Sequence, residues 1–153
     1  NALLLMEHLT AGFADRSILT HYSNALNKVK AVLKTSQKEK LEILGSNMKL
    51  QLPASINNDY EYLSVLQNVI SSRQIIEIEY LTSGNELSKR KIEAIGLVFY
   101  AFSWHVIGWC HLREQYRDFK VSRIQKLTNT GDPFTITDHI QLSDYMKFLP
   151  VSY

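Results

Sequence analysis

The sequence predicts an α+β protein: an N-terminal helical linker segment, a small antiparallel Sm/SH3-like β-barrel, and a short C-terminal helix. Three observations carry this. Apolar residues recur at helical spacing up to about residue 52. From Ile75 the period changes from 3.6 to 2. The runs that follow are short, closely spaced and apolar on one side, and closing such a small sheet would remove its exposed edges.

Ala2 to Leu9 reads as a short apolar helix broken by Gly12. In the second helix Ile18, Leu19, Tyr22, Ala25, Leu26, Val29, Val32 and Leu33 form one stripe, with Asp15 or Ser17 as N-cap and Lys28, Lys30 and Lys34 near the C-terminal end of the dipole. Ser36 and Glu39 fit a capping box for a third helix, continued by Leu41, Leu44, Met48 and Leu52 and closed by Pro53. Ala54 to Asp59 is a polar connector at a domain boundary, giving segments 1–57 and 58–153. A helix over Tyr60 to Ser71 turns Tyr62, Leu63, Leu66, Val69 and Ile70 inward.

The strands come next. Ile76, Ile78 and Tyr80 share one face, and Ser83-Gly84-Asn85 makes a hairpin turn. Leu87 to Phe99 is one long strand, or two joined at a bend near Gly96. Trp104 to Leu112 and Tyr116 to Ile124 are two more, separated by Arg113-Glu114-Gln115. The turn Asn129 to Pro133 precedes a short strand or extended run, Phe134 to Thr137. Ser143 and Asp144 cap a last helix, Tyr145 to Leu149.

At 153 residues and 45% hydrophobic content, the chain suits one ordinary globular domain or two very small ones. A net charge of +2 does not by itself demand a nucleic-acid partner. Its distribution is uneven, because five basic residues face two acidic ones between His111 and Lys126, and Lys89, Arg90 and Lys91 add a second cluster. The single cysteine, Cys110, excludes an intramolecular disulfide and reads as inert strand packing. No run approaches the ~20 apolar residues of a membrane span and no secretory signal is evident, so a cytoplasmic protein is expected. A first residue Asn1 followed at once by a helix suggests a piece of a longer protein.

Candidate chemistry is sparse. Among the sequence motifs there is no G-x-S-x-G, no phosphate-binding glycine loop, no CxxC and no H-E-x-x-H, and no acid–base pair presents itself, so neither enzyme activity, nor a cofactor, nor a metal is expected. His105 and His111 lie six apart on one strand face without a third ligand. Arg117, Phe119, Val121 and Arg123 share a face, placing two guanidinium groups around an apolar pair. Such a pair can grip an anion, or it can simply pair with nearby acids in solvent.

Residues 75 to 127 resemble the WYL domain, named for a Trp-Tyr-Leu tripeptide that falls here on Trp104-His105-Val106. The family's Y/F-R-x-F-x-x-x-R-I pattern falls on Tyr116, Arg117, Phe119, Arg123 and Ile124, and Tyr80 and Arg90-Lys91-Ile92-Glu93 fit the earlier strands. Phe13 to Ser17, Tyr22 and the Ala25 to Val29 helix are similar to the linker of these regulators. His105 replaces the family's tyrosine, Val106 its leucine, Ala94 a proline after the R-x-x-E segment, and Ser122 an acidic residue. The resemblance implies a ligand-sensing domain of a bacterial transcriptional regulator with a DeoR-type helix-turn-helix, which residues 1 to 60 do not supply. It implies a nucleotide-type or single-stranded nucleic-acid ligand held by Arg117, Arg123 and His105, with Tyr80, Tyr116 and Trp104 as weaker candidates, Trp104 being better suited to core packing. It also implies a homodimer, and promoter DNA bound through an attached domain. A protein–protein interaction or dimerisation module without ligand is the alternative.

Overall fold

A computed structural model of the chain describes residues 2–54 and 56–149. The chain divides into two compact units, Asn1–Ser64 and Val65–Tyr153. The first holds α1 (Ala2–Phe13), α2 (Arg16–Ala31) and α3 (Thr35–Ser46). Gly12 does not break α1. It lies inside the helix, where the side chains of Leu50 and Leu52 occupy the space that a Cβ would need. Asp15 caps α2 as its position predicts. Its fully buried carboxylate accepts from Ile18 N–H at 3.1 Å and the Ser17 hydroxyl at 2.7 Å, and its second oxygen accepts from Leu63 N–H at 2.8 Å. The α2 stripe is unevenly covered: Leu26 is buried and Ile18, Leu19, Tyr22 and Leu33 are half-buried, whereas Ala25, Val29 and Val32 are exposed.

α3 starts one residue earlier than predicted. The Gln37 side-chain oxygen accepts from Lys34 N–H at 3.0 Å, so Gln37, not Glu39, makes the return bond to the helix start. The helix ends at Ser46, and Met48 and Leu52 lie beyond it. The connector Ala54–Asp59 includes Ser55, which lies outside the described residues. The next helix, α4 (Leu63–Ser72), begins three residues later than predicted, and Tyr60 and Tyr62 stack before it with ring centroids 6.2 Å apart.

In the second unit Leu66 and Val69 of α4 are fully buried. The strands β1 (Gln74–Leu81), β2 (Leu87–Tyr100), β3 (Ser103–Cys110), β4 (Gln115–Lys120) and β5 (Ile124–Pro133) form one antiparallel sheet in the order β4-β3-β2-β1-β5. The α+β class therefore holds, but the predicted closed barrel is corrected: among the described residues no ladder joins β4 to β5, and the sheet is open. The reason lies in the expected strand Tyr116–Ile124. It ends at Lys120 and breaks into a 3-10 turn, Val121–Arg123, before β5. The edges still approach, since Tyr80 of β1 packs edge-to-face on Phe119 of β4 with centroids 5.2 Å apart.

Register assigns the faces. Ile76, Ile92, Ala94, Val106, Cys110 and Phe119 fall on one side and are buried, and Glu93, His105, Ile107, Tyr116 and Asp118 fall on the other. β2 is a single strand with an irregularity between Ala94 and Gly96, at the bend the glycine suggested. The connection from β2 to β3 is a two-residue hairpin in which Ala101 and Phe102 both take positive φ (47° and 57°). Phe134 to Thr137 forms no strand. The segment from Phe134 to Gln141 runs as an irregular strap to α5 (Leu142–Met146), whose N-cap is Gln141 and not Ser143 or Asp144. Leu142 seats on Gly96.

Gly108 of β3 lies opposite Ala94 of β2. A Cβ there would lie 2.5 Å from Ile92 Cγ2 and 2.6 Å from the Glu93 carbonyl oxygen, and a backbone atom cannot step aside. Gly108→Ala is therefore expected to destabilise the sheet by about 1–3 kcal/mol, read as a lower urea midpoint at unchanged slope.

Candidate anion-binding cleft

At the open β4 edge of the sheet lies a cleft of about 470 Å³. Because an edge strand has no neighbour on one side, side chains from both its faces reach this space. Arg117 and Phe119 enter from one face, and Asp118 and Lys120 from the other. Tyr80 forms part of the wall through its contact with Phe119, and its hydroxyl accepts from Lys120 N–H at 3.2 Å. Burial pushes the Tyr80 phenol up, so it remains neutral and able to donate. Arg90 of β2, Arg113 of the β3–β4 turn and Arg123 of the 3-10 turn complete the cationic lining.

Five cationic side chains thus meet one carboxylate, Asp118. Among the described residues none of the five is in an ion pair. Asp118 is engaged elsewhere. Its Oδ1 lies 2.6 Å from His105 Nδ1, and its Oδ2 accepts from the Tyr100 hydroxyl. Tyr100 also stacks on the His105 ring with centroids 4.1 Å apart. Its phenol is raised by burial and by the Asp118 bond, so it keeps its proton and its role as donor. The imidazole is therefore fixed in orientation, with Nδ1 committed to Asp118 and the ring stacked on Tyr100.

Of the sequence-predicted site residues, Tyr80, His105, Arg117 and Arg123 line this one cleft. Trp104 packs edge-on against Phe99, with centroids 5.3 Å apart. Tyr116 is placed elsewhere: its hydroxyl bonds His139 Nδ1 at 2.8 Å and accepts from Ile140 N–H at 3.1 Å. His105 and His111 lie beside separate carboxylates: Asp118 hydrogen-bonds His105, whereas Glu93 is only approached by His111. Among the described residues no group of His, Cys, Asp or Glu is arranged to hold a metal ion. Arg90, Arg113 and Lys120 were legible only as members of the two basic clusters and not as site residues, and the positioning role of Asp118 was not foreseen. The basic cluster around Lys89 to Lys91 was the available signal for Arg90; nothing local marks Asp118.

Tyr116 belongs to a polar network that fastens the strap to the sheet. Its centre is Glu93, fully buried in β2. Oε1 accepts from the Thr135 hydroxyl at 2.5 Å and Thr135 N–H at 3.0 Å, and Oε2 accepts from Ile136 N–H at 3.1 Å and His139 Nε2 at 2.8 Å. His111 Nε2 lies 2.9 Å from Oε1 but forms no hydrogen bond there, and is buried. The imidazoles approach different oxygens of a carboxylate already saturated by strap donors.

Residues 61–129 match the family model of the WYL domain. Two curated proteins described as the DNA-binding transcriptional repressor CapW, one from Escherichia coli strain KTE188 and one from Escherichia coli, are 34% identical to this chain over 74 residues. That stretch is 48% of this chain and spans about a quarter of each relative, 25%. Among solved structures, the proteasome accessory factor B/C (PafBC) of Arthrobacter aurescens superposes with a TM-score of 0.53 at 17% identity, covering 67% of this chain and 17% of that one. This is a likeness of fold. No helix among the described residues is long and apolar enough to cross a membrane.

Burial alone would push the Glu93 carboxyl up, but the bonds from Thr135, Ile136 and His139 outweigh it and hold it at about 2, against an ordinary 4.5. A depressed carboxyl contributes stability that is full above pH 4.5 and lost as pH falls toward 2. Glu93→Gln is expected to cost up to about 3 kcal/mol near neutrality. The gap from wild type in urea midpoint should narrow across that acid window, and a gap constant with pH would contradict the assignment.

Proposed function

We propose, because residues 61–129 match the WYL-domain family model, that this chain is the sensory part of a bacterial transcriptional regulator, and that the cleft takes a nucleotide-type or single-stranded nucleic-acid effector. The observation that carries this reading is the convergence of Arg90, Arg113, Arg117, Lys120 and Arg123 without acid partners. Five unneutralised cations in one concavity repel one another, and a polyanion relieves that repulsion. Arg117 and Arg123 grip phosphate by their forked donors, His105 presents its imidazole, and Tyr80 offers a ring edge and a hydroxyl.

The relatives are named as DNA-binding repressors. We extend the proposal accordingly: a DNA-binding domain attached to this segment reads promoter DNA under control of the cleft, without catalysis. Residues 1–57 serve as linker and dimerisation segment. Exposed Leu5, Met6, Val29 and Ile43 on their helices favour that role. The same exposure favours the second reading, an interaction and dimerisation module with no ligand.

The test is titration with oligothymidylate and a panel of linear and cyclic nucleotides at two salt concentrations. Binding should weaken roughly 50-fold between 50 and 200 mM salt if about four cations meet phosphates. Arg117→Ala/Arg123→Ala should lower affinity at least ~10-fold with the circular dichroism spectrum retained. No binding across the panel would favour the ligand-free module.

A further inference from the structure

Two sites share the β3–β4 connection. His111 opens it and reaches Glu93, the anchor of the strap; Arg113, two residues on, lines the cleft. Backbone bonds close the turn, from His111 N–H to the Lys91 carbonyl at 3.0 Å and from Arg113 and Glu114 N–H to the Cys110 carbonyl at 3.1 and 2.8 Å, but two of its residues carry local imperfections. His111 Nε2 is buried beside Glu93 without a hydrogen bond, an unfilled polar atom of the kind that costs stability. Glu114 holds φ at +48°, a left-handed conformation strained for a residue with a Cβ. The strand that follows continues the double attachment, since Tyr116 bonds the strap at His139 and Ile140 while its neighbour Arg117 faces the cleft. A segment with an imperfect contact on one side and ligand-facing cations on the other can take two arrangements at small free-energy difference.

We infer that the strap is the output element of the cleft: a polyanion engaging Arg113 and Arg117 draws the β3–β4 turn away from Glu93 and loosens residues 134–140. This rests on the reading of the cleft as a ligand site. By linkage the coupling is reciprocal, so loosening the strap also favours the bound state.

The experiment is amide hydrogen exchange on the whole chain, with and without saturating oligothymidylate. The Thr135, Ile136 and Ile140 amides, each bonded to Glu93 or Tyr116, should exchange at least ~5-fold faster in the complex. Those of Ile78 and Ile92 in the sheet should not change. His111→Ala, outside the cleft lining, should still bind the oligonucleotide but show less than ~2-fold acceleration at the strap. Should that variant fail to fold, Arg113→Ala at saturating oligonucleotide should likewise lose the acceleration. Binding with unchanged or slower strap exchange would overturn the coupling and leave the cleft standing, as would full acceleration in a folded variant. Failure of the wild type to bind would remove the cleft reading and the coupling with it.

Discussion

The second unit is built around a carboxylate that should not be inside it. An isolated buried charge is costly, and Glu93 is tolerated only because Thr135, Ile136 and His139 supply four donors to its two oxygens. That requirement fixes more than Glu93. The strap has no ladder of its own, so these bonds, with those from Tyr116 and one from Phe134 N–H to the Arg73 carbonyl, fasten it. Once held, the strap delivers Leu142 onto Gly96, where the absence of a side chain leaves room for it. One demand for hydrogen-bond satisfaction therefore organises a segment with no regular secondary structure.

The open sheet has the opposite logic at its β4 edge. The break at Val121–Arg123 prevents β4 from continuing into a closing strand, and so leaves an edge where side chains of both faces meet. Edges are ordinarily guarded by charge against strand pairing. Here the guarding charges curve around a concavity instead of a flat rim, and the one acid among them is occupied by His105 and Tyr100. Protection of an edge and attraction of an anion are compatible uses of the same residues.

Local signals were legible in the sequence and distant ones were not. Asp15 announced its helix because a cap acts within three residues, and the change of period at Ile75 announced the sheet. Gly12 misled because its purpose is the approach of Leu50 and Leu52, about forty residues away. The Ala101–Phe102 hairpin contains neither Gly nor Asn, so turn chemistry gave no sign of its positive φ. Val121-Ser122-Arg123 continues a strand-like alternation, and only the structure shows the 3-10 turn. At the site, the alternation of Arg117 and Phe119 was readable, whereas Tyr116 stood as a weaker ligand candidate until His139 and Ile140 appeared as its partners. Glu93 was marked only as the end of the family's R-x-x-E segment, and its role stayed hidden because its partners in the strap lie 42 to 46 residues ahead.

The central claim is that unpaired cations at the β4 edge hold an anionic effector. Its most direct test is nuclear magnetic resonance of the labelled chain during addition of oligothymidylate, following the guanidinium Nε–H signals and the His105 ring. The account predicts saturable shifts at Arg90, Arg117, Arg123 and His105, with the helices of the first unit unmoved. Shifts confined to α1, α2 or α3, with the arginine signals of the cleft unchanged, would contradict it.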